Sequence, residues 1–538
     1  MVARNSPYSY NVGDQQRFAL LNLDTPRIVT ISATLRRITD HAYFFVEDGS
    51  PYTEEALSQI GSDFESLVYP TVHNRFGTEW TPGVDSDPRI TVLHANLSGA
   101  GGYFSADDEY PVVIVPNSNE REMVYLDAGA LGSPGPAYNA LLAHELQHLV
   151  HWHADPGEES WVNEGLSQVS AEELGGGSDW LSSFLAQPDT QLNYWPPLSE
   201  SGIHYAASEL FCSYLLDHYG GRERAKELLA EQGDGIAGIN EYLAQFGTDF
   251  GRVFADWVVA NYLDTADGAY SHKQVDARTR TVTTVTREGG QDTVSQLGAD
   301  YLDTGGLPAG SVLKFDGADD VSLGIPDPGG PYWWSERGDG IDSKLTREFD
   351  LSGVQRATLR FRTWFDTERG WDYAYIAAST DGGMTWKALP GKQTTEYNPV
   401  EAAYGPGYSG NSSGWVQEEV DLGPFSGRKL LLRFEYVTDD STSLTGLAVR
   451  DVQVPEIGFS DSTGSDAGWQ AEGFERINGP LHQQFIVQKI EGKTVTQVPL
   501  DGANRADIPI DGGAIIVVSG VTDETAEKAA YKWSVVSP

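Results

Sequence analysis

The sequence predicts a multidomain chain. An α+β domain, a mixed sheet leading into a block of helices, comes first; an antiparallel, jelly-roll-like β-sandwich and a small C-terminal β domain follow. Three observations carry this. At 538 residues the chain exceeds what one hydrophobic core organises. Helical periodicity is concentrated between about residues 134 and 270. Beyond about residue 275, short alternating strands with glycine turns take over, consistent with 59 glycines and 14 tryptophans. The expected boundaries are 1–273 for the first domain with its N-terminal β region, 274–330 for a β linker, 331–454 for the sandwich and 455–538 for the last domain.

Residues 8–46 read as strands, with runs at Arg17–Leu23 and Arg27–Leu35. Residues 53–69 read as an amphipathic helix whose stripe is Leu57, Ile60, Phe64 and Leu67. A strand at Arg89–Ala95, a glycine-rich loop at Gly99–Ser105, the acidic run Asp107-Asp108-Glu109 and a strand at Glu122–Asp127 come next. The helices that follow are closed by Pro156-Gly157, Gly175-Gly176-Gly177, Gly220-Gly221 and Gly233. In the β half, Ala357–Trp364 and Lys429–Tyr436 alternate as sandwich strands do. The flanking segments, 275–330 and 455–538, stand alone or form one module that the sandwich interrupts.

Charge excludes one class of partner. With 78 acidic and 36 basic residues, net −42, the surface repels phosphate backbones, and no nucleic-acid partner is expected. No segment is apolar enough to span a membrane. The one cysteine, Cys212, allows no intrachain disulfide and lies in an apolar helical stretch, where a buried inert thiol is expected. The start, Met1-Val2-Ala3-Arg4-Asn5, lacks the apolar core of a signal peptide, so either the protein is cytosolic or the numbering begins after an export signal or propeptide was removed.

The chemistry centres on Ala140–Val150, which contains His144-Glu145-Leu146-Gln147-His148. Two histidines four apart on a helix sit one turn apart on one face, so both imidazoles can reach one metal. Glu145, rotated toward the neighbouring edge, can hold a metal-bound water. The bland alternative is a histidine-bearing surface helix. A zinc site needs a third protein ligand, and position 154 is alanine, so a third histidine at the HExxHxxGxxH spacing is absent. Farther on, Asp155-Pro156 with Glu158 reads as the cap and first turn of a second helix running to about Leu174. Glu164 lies on that helix among large apolar neighbours and is best explained by a metal. His151 and His153 fall on other faces of the first helix, in solvated or supporting roles, and Asp155 is accounted for by capping.

HExxH followed by a helix carrying Trp161-Val162-Asn163-Glu164-Gly165 resembles the gluzincin peptidases. The resemblance implies a zincin-like fold, zinc on His144, His148 and Glu164, and Glu145 as general base on a zinc-bound water. The aminopeptidase branch of that group holds the substrate's amine with a Gly-x-Met-Glu-Asn segment. The loop Gly99–Ser105 has no such glutamate, which favours an endopeptidase. A gem-diolate needs a donor opposite the metal. Tyr205, heading the helix at Gly202–Phe211, resembles the tyrosine of that branch, and His204 is the second candidate.

Trp334–Asp339, Phe349–Leu351, Trp371–Tyr375, Ser379–Trp386 and Val449–Val452 resemble the β-sandwich of immune inhibitor A-type secreted bacterial metallopeptidases. The resemblance implies an extracellular bacterial protein. In such sandwiches acidic residues at strand ends hold calcium, and Asp339, Asp342 and Asp451 are the candidates. Trp333, Trp334 and Trp371 are either core or a carbohydrate or cell-surface contact. The reading is a secreted zinc metalloendopeptidase acting on proteins or peptides. The alternatives are a zinc aminopeptidase and an adhesion protein with an inactive zincin domain.

Overall fold

The computed structural model describes residues 2–538. The chain is mixed α/β, with several β-sheets and a helical block, and divides into two compact units. The first comprises residues through Ser182, with Tyr205–Trp257 and Thr265–Asp276; the second comprises Ser183–His204, Val258–Asp264 and Ala277–Pro538.

The first unit is built on a six-stranded sheet of β1 (Gln15–Asn22), β2 (Arg27–Ile38), β3 (Ala42–Glu47), β4 (Ile90–Ala95), β5 (Gly102–Phe104) and β6 (Met123–Asp127). The order is β1-β2-β3-β4-β6-β5. The β3–β4–β6 pairs are parallel, and β5 returns antiparallel as the edge strand. β4 is buried along its whole length, as a central parallel strand covered on both faces must be. Helix α1 (Glu54–Asp63) runs through a π turn at Phe64–Val68 into α2 (Tyr69–Phe76). The extra residue in that turn advances the buried stripe by one, so Val68 is buried and Leu67, expected inside, is 46% exposed.

The functional helices are α3 (Pro136–Ala154) and α4 (Ser160–Glu172), followed by α5 (Leu181–Ala186), α6 (Gly202–His218), α7 (Ala225–Leu228), α8 (Gly235–Ala244) and α9 (Phe250–Leu263). α4 begins later than the sequence suggests. Asp155 ends α3, its carboxylate accepts from the Gly157 amide in a tight turn, and Glu159 is the residue preceding the helix. Glu158 folds back instead, accepting from the amides of Glu159 and Gly235.

In the second unit, two sheets form the sandwich. One contains Val416–Asp421, Thr358–Asp366, Gly446–Val454, Tyr332–Trp334 and Glu475–Ile477; the other contains Lys387–Ala388, Tyr373–Ser379, Lys429–Val437, Asp342–Asp350 and Gln470–Glu472. Phe361 and Phe434 meet edge-on between them in a core shared with Leu345, Ile376 and Val449. The sandwich therefore extends past residue 454, since the strands at 470–472 and 475–477 belong to its sheets.

The expected linker at 274–330 and last domain at 455–538 are not separate. Ser311–Gly317 pairs with both Arg505–Ile510 and Ala529–Val536, and Asp300–Asp303 pairs with Ile515–Gly520. They build one β module around Phe315, Val487, Ile508 and Tyr531. A two-stranded ribbon, Asp320–Val321 against Leu481–His482, marks where the sandwich leaves and rejoins it. Trp333 and Trp334 are buried in the sandwich and unavailable for stacking on a sugar, while Trp371 is half-buried.

Candidate metal centre

α3 starts with Pro136 in its first turn, where a missing amide costs nothing. Its apolar residues Leu142, Leu146, Leu149 and Val150 are fully buried. That buried anchoring fixes the helix rotation, and one donor atom from each of His144, Glu145 and His148 lies within 4.8 Å of the others. α4 is pinned by Trp161, which is 1% exposed, packs on Phe211 and donates to Glu159. One turn in, α4 presents Glu164 to the two imidazoles.

The distances are specific. His144 Nε2 and His148 Nε2 are 3.1 Å apart, and Glu164 Oε2 lies 3.2 Å from the first and 3.4 Å from the second. A tetrahedral ion with bonds of about 2.0–2.1 Å places its ligands about 3.3 Å apart. Glu164 Oε2 is also buried, and its near contacts are the two imidazole nitrogens. Two imidazoles and a carboxylate are a zinc donor set, and their spacing fits that ion.

The electrostatics agree. Burial opposes charge on His148, but the Glu164 carboxylate outweighs it and raises the imidazole to about 9. Burial pushes Glu164 up, yet the neighbouring imidazoles win and hold it well below the usual carboxylate range. Glu164 is thus ionised and faces both imidazoles. Glu145 stands in a different field: burial raises it, the two imidazoles oppose that, and Glu164 adds to it.

Two glycines make the geometry possible. A Cβ on Gly102, in edge strand β5, would lie 2.6 Å from Glu145 Oε1. A Cβ on Gly165 would lie 2.6 Å from Cys212 Sγ and 2.9 Å from the Ser208 carbonyl. α6 therefore passes close to α4, and the Tyr205 phenol reaches Glu164 Oε1 at 3.0 Å. Burial first, then the Glu164 charge, raise Tyr205 well above its ordinary value, so the phenol keeps its proton. His204 is turned elsewhere: its ring packs against Tyr194 and Trp195, and burial lowers it to about 4.

Sequence reasoning missed the supporting shell. His148 Nδ1 donates to Asn163 Oδ1 at 2.7 Å, and Ser167 Oγ lies 3.1 Å from the same nitrogen. Ser167 donates to Gln147, whose amide donates to His151 Nδ1. His151 is fully buried and held neutral by that burial, at about 3, rather than solvated; His153 is exposed. The signal was present as spacing: Gln147 and His151 are four apart on α3, and Glu164 and Ser167 three apart on α4.

In the sandwich, the three calcium candidates separate. Asp342 is exposed and pairs with Lys344, and Asp451 is bound by Arg450 at 2.9 Å. Asp342 also lies near Glu435, whose carboxyl its charge helps to raise, after burial. Asp339 is 4% exposed and lies among Glu368, Asp372, Asp439 and Asp440, whose charges raise one another.

Comparison with known proteins bears on this second unit. Residues 318–479 match the family model described as Immune inhibitor A-like, MAM domain. The pre-pro-metalloprotease PrtV of Vibrio cholerae is 30% identical over 29% of this chain and 17% of its own length. Immune inhibitor A of Bacillus thuringiensis subsp. alesti is 27% identical over 34% of this chain and 26% of its own. Bacillopeptidase F of Bacillus subtilis is 28% identical over 28% of this chain and 9% of its own. The matches thus span about a quarter or less of those relatives and fall in the C-terminal β region.

Proposed function

We propose that this chain is a secreted, zinc-dependent metalloendopeptidase, with His144, His148 and Glu164 as metal ligands and Glu145 as general base. The observation that carries the reading is the triangle of donor atoms, 3.1, 3.2 and 3.4 Å on its sides, closed by a buried carboxylate oxygen that faces both imidazoles. Zinc held there would lower the pKa of a bound water to about 7 and polarise the scissile carbonyl.

The chain's own residues supply the rest. Glu145, close to both imidazoles but with its carboxylate against the Gly102 backbone, accepts the proton of the attacking water and passes it to the leaving amine. Asn163 fixes the proton of His148 on Nδ1, which leaves Nε2 free as a ligand. Tyr205 is a protonated phenol beside the centre and donates to the oxyanion as the carbonyl becomes tetrahedral. Between Gly99 and Ser105 no carboxylate is present to hold a free amine, which supports internal cleavage. The names of relatives matched by the second unit include metalloproteases, in keeping with this reading. For the sandwich we propose calcium held by Asp339 with Glu368, Asp372 and Asp439.

The test is metal analysis of the purified chain together with a cleavage profile on a mixture of peptides. One zinc per chain with internal cuts supports the proposal. Removal of N-terminal residues alone makes the chain an aminopeptidase, and a zinc-loaded chain that cuts nothing makes it a binding protein.

A further inference from the structure

Past His148, the ligand-bearing face of α3 ends in a group of aromatic rings. His144, His148 and Trp152 are spaced four apart and share one stripe, so Trp152 stands one turn beyond the second imidazole. Edge strand β5 and the glycine before it run along the same helix. A Cβ on Gly101 would touch Leu141 Cδ1 at 3.8 Å, and one on Gly102 would lie 2.6 Å from Glu145 Oε1. Farther along, the Phe104 ring packs on Trp152 with centroids 6.5 Å apart. Tyr110 completes the group, edge-on to Trp152 at 5.9 Å. Phe104 and Trp152 are half-buried, and Tyr110 is 39% exposed. The turn after it, closed by the Ile114 amide on the Pro111 carbonyl at 2.8 Å, exposes Val112, Val113 and Ile114, with Val113 81% exposed.

Apolar side chains scattered singly over a surface need no explanation, whereas a contiguous group marks a place where something binds. The register along β5 says what. Gly102 and Phe104 are two residues apart, face the same side of the strand and are separated by about 7 Å. An extended peptide repeats its side chains at that same interval. A peptide whose scissile carbonyl lies at Glu145 therefore brings over the rings a side chain two residues from the bond that is cut.

We propose that Trp152, Phe104 and Tyr110 form a subsite for a large apolar side chain, aromatic or branched aliphatic, two residues from the scissile bond of an extended peptide. The inference rests on the peptidase reading of the metal centre. The rings offer broad, rigid apolar area, so the subsite selects by burial rather than by ion pairing.

A peptide with one Phe in a background of alanine and polar residues, and its twin with Ala in that place, test this. The Phe peptide should be cut two residues from the Phe, with kcat/KM about 10–100-fold above that of the twin, the factor that burying one large apolar side chain supplies. Trp152→Ala should compress the ratio to less than about threefold. Tyr110→Ser alters a more exposed ring and should lower the ratio in part, even if Trp152→Ala fails to fold. Calorimetry on the zinc-loaded Glu145→Gln chain, which binds without cutting, should show the same preference in Kd and the same loss when Trp152 is replaced. Equal treatment of the two peptides in both measurements overturns the proposal. So do a cut next to the Phe and a preference that both ring variants leave intact. A preference in binding by a chain whose wild type cuts neither peptide keeps the apolar site and removes the peptidase reading.

Discussion

His148 Nδ1 and Asn163 Oδ1 lie 2.7 Å apart across the α3–α4 interface, so the residue before one proposed ligand sets the tautomer of another. Losing such a partner typically costs 10–100-fold in metal affinity. Asn163→Ala should therefore bind zinc about 10–100-fold more weakly in a chelator competition, with activity recovered at saturating zinc. Unchanged affinity would leave Ser167, on the same nitrogen, as the orienting group.

Glu145→Gln and Glu164→Ala should fail in different ways. The first should keep one zinc per chain and lose nearly all hydrolysis, because the amide cannot accept the proton. The second should lose zinc itself on dialysis against a weak chelator, since two imidazoles remain of three ligands. Substantial hydrolysis by Glu145→Gln removes it as the base.

Tyr205→Phe keeps the ring and removes the donor. If the phenol serves the oxyanion, kcat should fall by about 10²–10³ with KM and zinc content little changed. A fall in zinc affinity with kcat preserved at saturating metal would mean that its bond to Glu164 is its whole function.

Gly165→Ala should cost about 1–3 kcal/mol, because its methyl must displace Cys212 or the α6 backbone. Moving α6 also moves Tyr205. The check is a urea titration alongside kcat; an alanine variant as stable and active as the wild type would show that the helices separate freely.

The sandwich carboxylates make a pH prediction. Burial, reinforced by neighbouring acids, raises Glu368 to about 8 and Asp372 to about 7. The folded chain then binds more protons than the unfolded one between roughly pH 4 and 8, so stability falls as pH rises through that window. With calcium chelated, the unfolding temperature should drop from pH 5 to pH 8, and calcium should flatten the slope. Asp372→Asn should remove part of both effects; an identical slope with and without calcium would refute the site.

The sequence disclosed what depends on nearest neighbours along a helix. His144 and His148 were legible as a one-turn pair, and the Trp161–Gly165 pattern pointed to Glu164. Where a local pattern admitted two folds, it misled: Asp155-Pro156 looks like a helix start but closes a turn on Gly157. The π turn that exchanges Leu67 for Val68 has no simple periodicity to betray it. Clusters assembled from distant strands were out of reach. Asp372 gains its meaning from Asp439, and Phe104 from Trp152, only once these segments meet.

The ribbon of Asp320–Val321 against Leu481–His482 constrains how the chain can be assembled. The β module waits for its last strand, Ala529–Val536, which must find Ser311–Gly317 across the whole intervening sandwich. If that sandwich folds first, its two ends emerge side by side, and the long excursion becomes, for the flanking strands, a tight hairpin with little closure entropy left to lose. A sandwich that folds first would thus act as a clamp, and the interrupted module would then close when its last strand arrives.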